Sequence, residues 1–171
     1  AVRMDVMLHA YMLFLSGIPM LYSGDEIGQV NDYTYKEDPN KAADSRYIHR
    51  GKFIWDLVEN IDKPETVQGR LFARLDHLER IRAGEKVFDA SAGFRTLETW
   101  DDAVLGLVRE SEDGKLIGLF NFSEEPKMAW INETDGLYED LLGGNEMAAS
   151  AVRMDGHGFY WLKRKKAPEG E

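Results

Sequence analysis

Two neighbouring carboxylates, Asp25 and Glu26 in the stretch GIPMLYSGDEIG (17–28), are the first residues that invite a chemical reading. Paired carboxyl groups are the machinery of glycoside hydrolysis, one giving a proton and the other attacking or activating water. Neighbours on an extended backbone point to opposite sides, whereas retaining chemistry needs two carboxyls roughly 5 Å apart facing one sugar. Asp25 and Glu26 are therefore expected to shape a loop and rim. A second candidate cluster is DSRYIHR, residues 44–50. Asp44 is a residue type that bonds backbone N–H groups in turns, and Arg46 is a permanent cation able to grip a carboxylate through two parallel hydrogen bonds. The histidines outside this cluster, His9, His77 and His157, have no ligand spacing around them. No metal site and no cofactor is expected.

The bulk properties bound what these residues can serve. The chain has 171 residues, 43% hydrophobic and 30% charged, with a formal charge of −10 and no cysteine. That charge argues against nucleic acid or an anionic membrane as partner. The absence of cysteine removes disulfides and thiolate chemistry, and a cytoplasmic setting fits it.

The periodicities place the candidates on elements. Residues 2–15 read as a helix buried on most sides, stopped by Ser16-Gly17 and Pro19 and too short to span a membrane. Ile18 to Tyr22 form a short apolar run of the kind a buried parallel strand shows. A long polar segment from Gly28 to about Ile61 follows, and loops of that length are commonly functional. Pro64 is a good first-turn residue, and Val67, Leu71, Leu75 and Leu78 keep a helical stripe that ends near Gly84. After about residue 90 the pattern changes to short β-prone runs, TLETW, AVLGLV, KLIGLFNF, KMAWI, LYEDLL and GFYWLK, with Asp113-Gly114 as the strongest hairpin signal. The fold class expected is α+β: one helix–strand–loop–helix step of an α/β barrel or doubly wound sheet, then an antiparallel β domain. At the C-terminal end of a barrel strand, Asp25 and Glu26 would stand near an active site.

The pattern GIPMLYSGDEIGQVND resembles the eighth barrel strand and following loop of glycoside hydrolase family 13, the α-amylase family, with Gly17, Pro19, Gly24 and Glu26 at the family's positions together. EDPNKAADSRYIHRG followed by FIWDLVEN is similar to the amylosucrase branch, and LIGLFNFSEEP to a strand of the family's terminal β domain. Tyr47 stands where that branch often has tryptophan. The resemblance covers nearly the whole chain. It implies residues 1–88 as the end of a (β/α)8 barrel and 89–171 as a C-terminal antiparallel β-sandwich domain. It implies an enzyme acting on sucrose and α-glucan by glucosyl transfer or hydrolysis, with its three catalytic carboxylates upstream of this chain. Arg46 would close the glucosyl pocket, paired with an upstream aspartate, and Asp44 and His49 would line or support the same loop. This chain alone is expected to be inactive.

Two other readings remain open: an α-glucosidase or trehalose-interconverting member of the same family, and a non-catalytic glucan-binding or interaction module. Because the chain opens inside an apolar helical pattern, it is expected to be a piece of a larger protein. Its first helix and strand are expected to be displaced or packed against a second copy, so that the isolated piece self-associates. Trp100, Trp130, Tyr160 and Trp161 read as core residues of the β domain. Asn121-Phe122-Ser123 and Asn132-Glu133-Thr134 match a glycosylation pattern that a strand and a turn explain equally. Lys163 to Lys166 read as a solvated tail.

Overall fold

The computed structural model describes residues 1–133 and 136–165; Thr134 of the second glycosylation pattern and Lys166 of the basic run lie outside them. The chain divides into two compact units, one made of residues 1–19 with the chain from 75 onward, the other of residues 20–74.

The first unit is built on antiparallel pairing. Strands β1 (Gly93–Leu97), β2 (Val104–Ser111), β3 (Gly114–Asn121), β5 (Leu137–Asp140), β6 (Glu146–Ala148) and β8 (Phe159–Arg164) form a six-stranded sheet in the order β1-β2-β3-β8-β5-β6. Strands β4 (Lys127–Trp130) and β7 (Ala151–Met154) pair separately as a two-stranded ribbon. The expected hairpin is present one residue early: Ser111 pairs with Gly114, so Glu112-Asp113 makes the turn and Gly114, at φ 143°, opens β3. Strands β6 and β7 were not among the β-prone runs, because three and four residues are too few for alternation to register.

Both faces of the central strands are covered, which explains why KLIGLF reads as continuously apolar rather than alternating. On one face Val108, Ile117, Leu119 and Leu162 share a core with Ala129, Val152 and Met154 of the ribbon. On the other, the aromatic rings of Phe14, Phe88, Phe120 and Trp161 interlock with centroids 5.0 to 6.3 Å apart. Phe14 belongs to helix α1 (Val2–Phe14), whose buried residues Val6, Met7, Ala10, Leu13 and Phe14 make a single stripe. Gly118 makes the docking possible, since a Cβ there would lie 2.9 Å from the Phe14 ring. Full burial of one such phenylalanine contributes about 1.5–3 kcal/mol.

These contacts correct several expectations. Helix α1 is not buried on most sides, because Met4 and Leu8 are exposed; its buried stripe lies on the chain's own sheet. Residues 18–22 form no strand, and Ile18 and Met20 are 91% and 80% exposed. A strand needs a neighbour to satisfy its backbone, and all pairings among the described residues are antiparallel ones elsewhere in the chain. Of the four aromatics read as core, Trp161 is fully buried and Tyr160 packs partly against the core, but Trp100 and Trp130 are exposed. Lys163 is no tail residue; it lies in β8 and its Nζ donates to Glu85 Oε2 at 2.5 Å.

Two buried polar side chains hold the unit's turns. Asn121 Nδ2 donates to the carbonyls of Glu125 (2.8 Å) and Asp155 (2.9 Å), and its Oδ1 accepts from Ser123 N, so the NFS motif is a turn device. Arg109, fully buried on β2, donates to the carbonyls of Phe14 (3.1 Å), Val87 (3.0 Å), Phe88 (3.1 Å) and Asp89 (2.7 Å). A buried cation is tolerated when its donors are satisfied, and the carbonyl end of α1 is the favourable end of a helix for positive charge. Burial, then the nearby Arg82, pushes the Arg109 guanidinium below its ordinary value.

The second unit contains the short helix α2 (Trp55–Val58) and tight 3₁₀ turns at Asp25–Ile27, Thr34–Glu37 and Ser45–His49. Helix α3 (Val67–Gly84) starts after Pro64 rather than at it. The Thr66 hydroxyl accepts from Gly69 N (3.0 Å), an N-cap bond. Gly69 is required there, since a Cβ would come 2.0 Å from the Lys63 carbonyl oxygen.

Candidate functional site

The long polar segment folds on itself through short bonds from side chain to backbone. Asp32, Asp38 and Asp44 each accept, through Oδ1, the backbone N–H of the residue two positions on: Thr34 (2.9 Å), Asn40 (2.9 Å) and Arg46 (3.0 Å). These are the Asx turns that aspartate favours. Gln29 fastens the two ends of the segment. Its Nε2 donates to Lys52 O (3.1 Å) and its Oε1 accepts from Ile54 N (3.0 Å). Asp32 N donates to Ile48 O at 2.9 Å, and His49 Nδ1 lies 3.1 Å from Asn31 Oδ1.

The fold of this segment leaves a cleft of about 700 Å³ whose lining includes Asn31, Asp32, Asp38, Lys41, Tyr47 and Arg50. The Tyr47 ring has two cations over it, with Lys41 Nζ 5.8 Å and Arg50 Cζ 5.9 Å from its centroid. Hydrogen bonds from the side chain and backbone of Thr34 hold the Asp32 carboxyl below its usual range, and the Asn40 N–H followed by Lys41 does the same for Asp38. The cleft thus offers ionised acceptors, cationic donors and an aromatic face, a set suited to a ring bearing many hydroxyl groups.

The residues singled out from sequence are distributed unevenly around it. Asp44 and Arg46 are bound to each other by two parallel bonds, Nε to Oδ1 at 2.8 Å and Nη2 to Oδ2 at 2.7 Å. The Arg46 side chain is 72% exposed, and neither residue lines the cleft. The Arg46 hydrogen bonds bring the Asp44 carboxyl down to about 2. His49 lies outside the lining and meets it through Asn31. Asp25 and Glu26 each accept a backbone N–H of the preceding residues, Asp25 from Tyr22 (3.2 Å) and Glu26 from Gly24 (3.0 Å). Sequence reasoning passed over Gln29, Asp32, Asp38 and Lys41. The recurring Asp-x-Thr and Asp-x-Asn spacing was the available signal for the turns; nothing local marked Gln29.

No family model matches the chain. Glucosylglycerate phosphorylase of Escherichia coli (strain K12) is 25% identical to it over 160 residues, which take in 92% of this chain and 28% of that enzyme. Among solved structures, the trehalulose synthase MutB from Pseudomonas mesoacidophila MX-45 matches 94% of this chain with a TM-score of 0.73 at 16% identity. AmyP, solved as its E221Q variant with maltotriose, matches 98% of this chain with a TM-score of 0.75, again at 16% identity. The chain shares the fold of part of these enzymes. It spans 28% of the phosphorylase, 38% of MutB and 35% of AmyP. These similarities support the resemblance to glycoside hydrolase family 13 that the motif at residues 17–32 suggested, without singling out the amylosucrase-like branch. Among the described residues no helix is long and apolar enough to cross a membrane.

Proposed function

We propose that this chain is the C-terminal portion of a family 13 enzyme that transfers glucosyl units, in a cytoplasmic setting. The observation that carries this reading is the similarity to glucosylglycerate phosphorylase, which runs through the loop unit and the sheet unit alike, over 92% of the chain. In this reading residues 1–88 end the catalytic barrel and 89–171 form its β domain. The catalytic carboxylates belong to the upstream part of the parent enzyme. Asp25 and Glu26 shape the rim through the backbone bonds they accept. The loop closed by Gln29 forms one wall of the glucosyl pocket. Asp44 holds the Arg46 guanidinium ready at the loop surface, where it contacts substrate or an upstream carboxylate, and His49 steadies Asn31 behind it.

The DSRYIHR segment favours sucrose as the glucosyl donor, with glucan or water as acceptor. A second reading rests on the relative's activity: phosphate takes the glucosyl unit from a glucosylglycerate, giving glucosyl phosphate and glycerate. The test combines this chain with a separately expressed upstream barrel fragment. Fructose release from sucrose by the mixture, and by neither part alone, supports the first reading. Phosphate-dependent release of glycerate supports the second. Arg46→Ala is expected to abolish whichever activity appears. Activity from the 171-residue chain alone would overturn the assignment and restore Asp25 and Glu26 as catalytic candidates.

A further inference from the structure

The turn that carries Asp25 and Glu26 has a geometric use. Residues Asp25–Ile27 make a single 3₁₀ turn between two glycines, and Glu26 Oε2 reaches back to accept from Gly24 N at 3.0 Å. Gly24 O then accepts from both Ile27 N (3.2 Å) and Gln29 N (2.9 Å), and the Ile27 side chain is buried. Gly24 stands at φ 102°, a conformation that favours glycine. A Cβ there would lie 3.0 Å from the Gln29 Cβ and 3.4 Å from its Cδ and Oε1. The Gln29 side chain thus lies across Gly24, and the turn aims its amide.

What the amide meets is the opposite wall of the cleft. Gln29, Asn31 and Asp32 belong to one wall, and Arg50, Lys52 and Ile54 to the other. Toward Asp32 the walls are joined by backbone: Asp32 N donates to Ile48 O at 2.9 Å. Gly51 allows that approach, since a Cβ there would lie 3.0 Å from the Asp32 Cβ. Toward Gln29 the join is made by a side chain, whose Nε2 donates to Lys52 O at 3.1 Å and whose Oε1 accepts from Ile54 N at 3.0 Å. Both bonds are exposed, so they add little to the fold as a whole, yet they determine where Lys52 and Ile54 stand.

We propose that residues 24–29 act as one positioning device: the turn aims the Gln29 amide, and the amide fixes the spacing of the cleft's two walls. Gln29 is a positioning residue and takes no part in making or breaking bonds. That the cleft receives a glucosyl donor rests on the sugar-active reading above. Under that reading the device sets donor affinity, so its loss appears in KM while kcat is kept.

Gln29→Glu separates this role from plain packing. A neutral carboxyl keeps one donor and one acceptor, as the amide has, whereas an ionised one only accepts and loses Lys52 O. The Lys52 carbonyl ¹³C shift of the labelled full chain would be followed from about pH 3 to about pH 7, either side of the free glutamate value of about 4.3. The expected result is a shift that moves with the introduced carboxyl in Gln29→Glu and is flat in the unsubstituted chain. A Lys52 carbonyl indifferent to that titration would overturn the device. Gly24→Ala and Gln29→Ala supply a double-mutant cycle, read by amide exchange at Ile54. If the turn acts through the amide, the double variant exchanges no faster than Gln29→Ala alone; effects that multiply would show two independent contributions and overturn the single device. Glu26→Ala, which releases Gly24 N, takes the place of Gly24→Ala if the latter does not fold. In the reconstituted mixture with sucrose as donor, Gln29→Ala should raise KM roughly three- to tenfold at unchanged kcat, the worth of one exposed hydrogen bond. A fall in kcat at unchanged KM would overturn the positioning role. A mixture that releases neither fructose nor glycerate would overturn the sugar-active reading, and the carbonyl titration and the exchange cycle judge the device independently of it.

Discussion

The sheet unit and the loop unit satisfy the same backbone requirement by opposite means. In the first, ladders pair the strands, and where the chain leaves the ladder a buried Arg109 collects four carbonyls at once. In the second there is no ladder among the described residues; Asp32, Asp38, Asp44 and Gln29 do the work one bond at a time at the surface. Buried bonds have no competing water and are costly to lose, whereas each exposed bond nets about 1 kcal/mol or less. A segment of some twenty-five residues (29–54) is thus given a definite shape with Tyr35 as its one buried side chain among the described residues. Its local stability is then low, as suits a ligand-facing loop.

Mutation can break that comparison at either end. The largest effect is expected at Arg109. Arg109→Met leaves several buried carbonyls without donors, and should cost about 3–5 kcal/mol in urea-induced unfolding. A loss below about 1 kcal/mol would mean that water replaces the guanidinium and the joint is not buried in solution. Gln29→Ala should cost only about 1–2 kcal/mol, and locally. Amide exchange at residues 48–54 should quicken while the protection of β3 is unchanged; a uniform increase across the chain would show that the loop is not a separate unit. The smallest effect is electrostatic. The Asp44 carboxyl is held at about 2 against an ordinary value of 3.8, so the turn at residues 44–46 is fully supported above pH 4. That support fades as pH falls through about 2. A carboxyl resonance of Asp44 titrating at its ordinary value would show that the bidentate bond with Arg46 does not persist in solution.

Much of the sheet unit was legible because its signals are local. Alternation and turn residues at Asp113-Gly114 mark β2 and β3; the stripe of Leu71, Leu75 and Leu78 marks α3, which runs from one unit into the other. What failed did so for a nameable reason. The apolar run at 18–22 has the composition of a strand but pairs with no strand among the described residues. Trp100 and Trp130 are bulky residues in a β context, and composition cannot tell a core tryptophan from one held outward by a left-handed loop residue. The candidate site was legible as a segment but not as a surface. Asp44, Arg46 and His49 stood out by their types but lie outside the cleft, which is lined by neighbours brought in through Gln29.

By itself, then, the sequence determined that α3 stops at Gly84, that β2 and β3 form a hairpin, that Asp44 holds a turn, and what the chain's charge repels. Each of these depends on residues within a few positions of one another, or on composition alone. Only the tertiary structure decided that α1 lies on the β sheet, that Arg109 joins three distant segments, that the ends of the loop meet at Gln29, and that two tryptophans face solvent. Those outcomes depend on which surfaces meet across separations of twenty to a hundred residues, as Gln29 with Ile54 and Arg109 with Phe14 do. Spacing along the chain carries no record of such meetings.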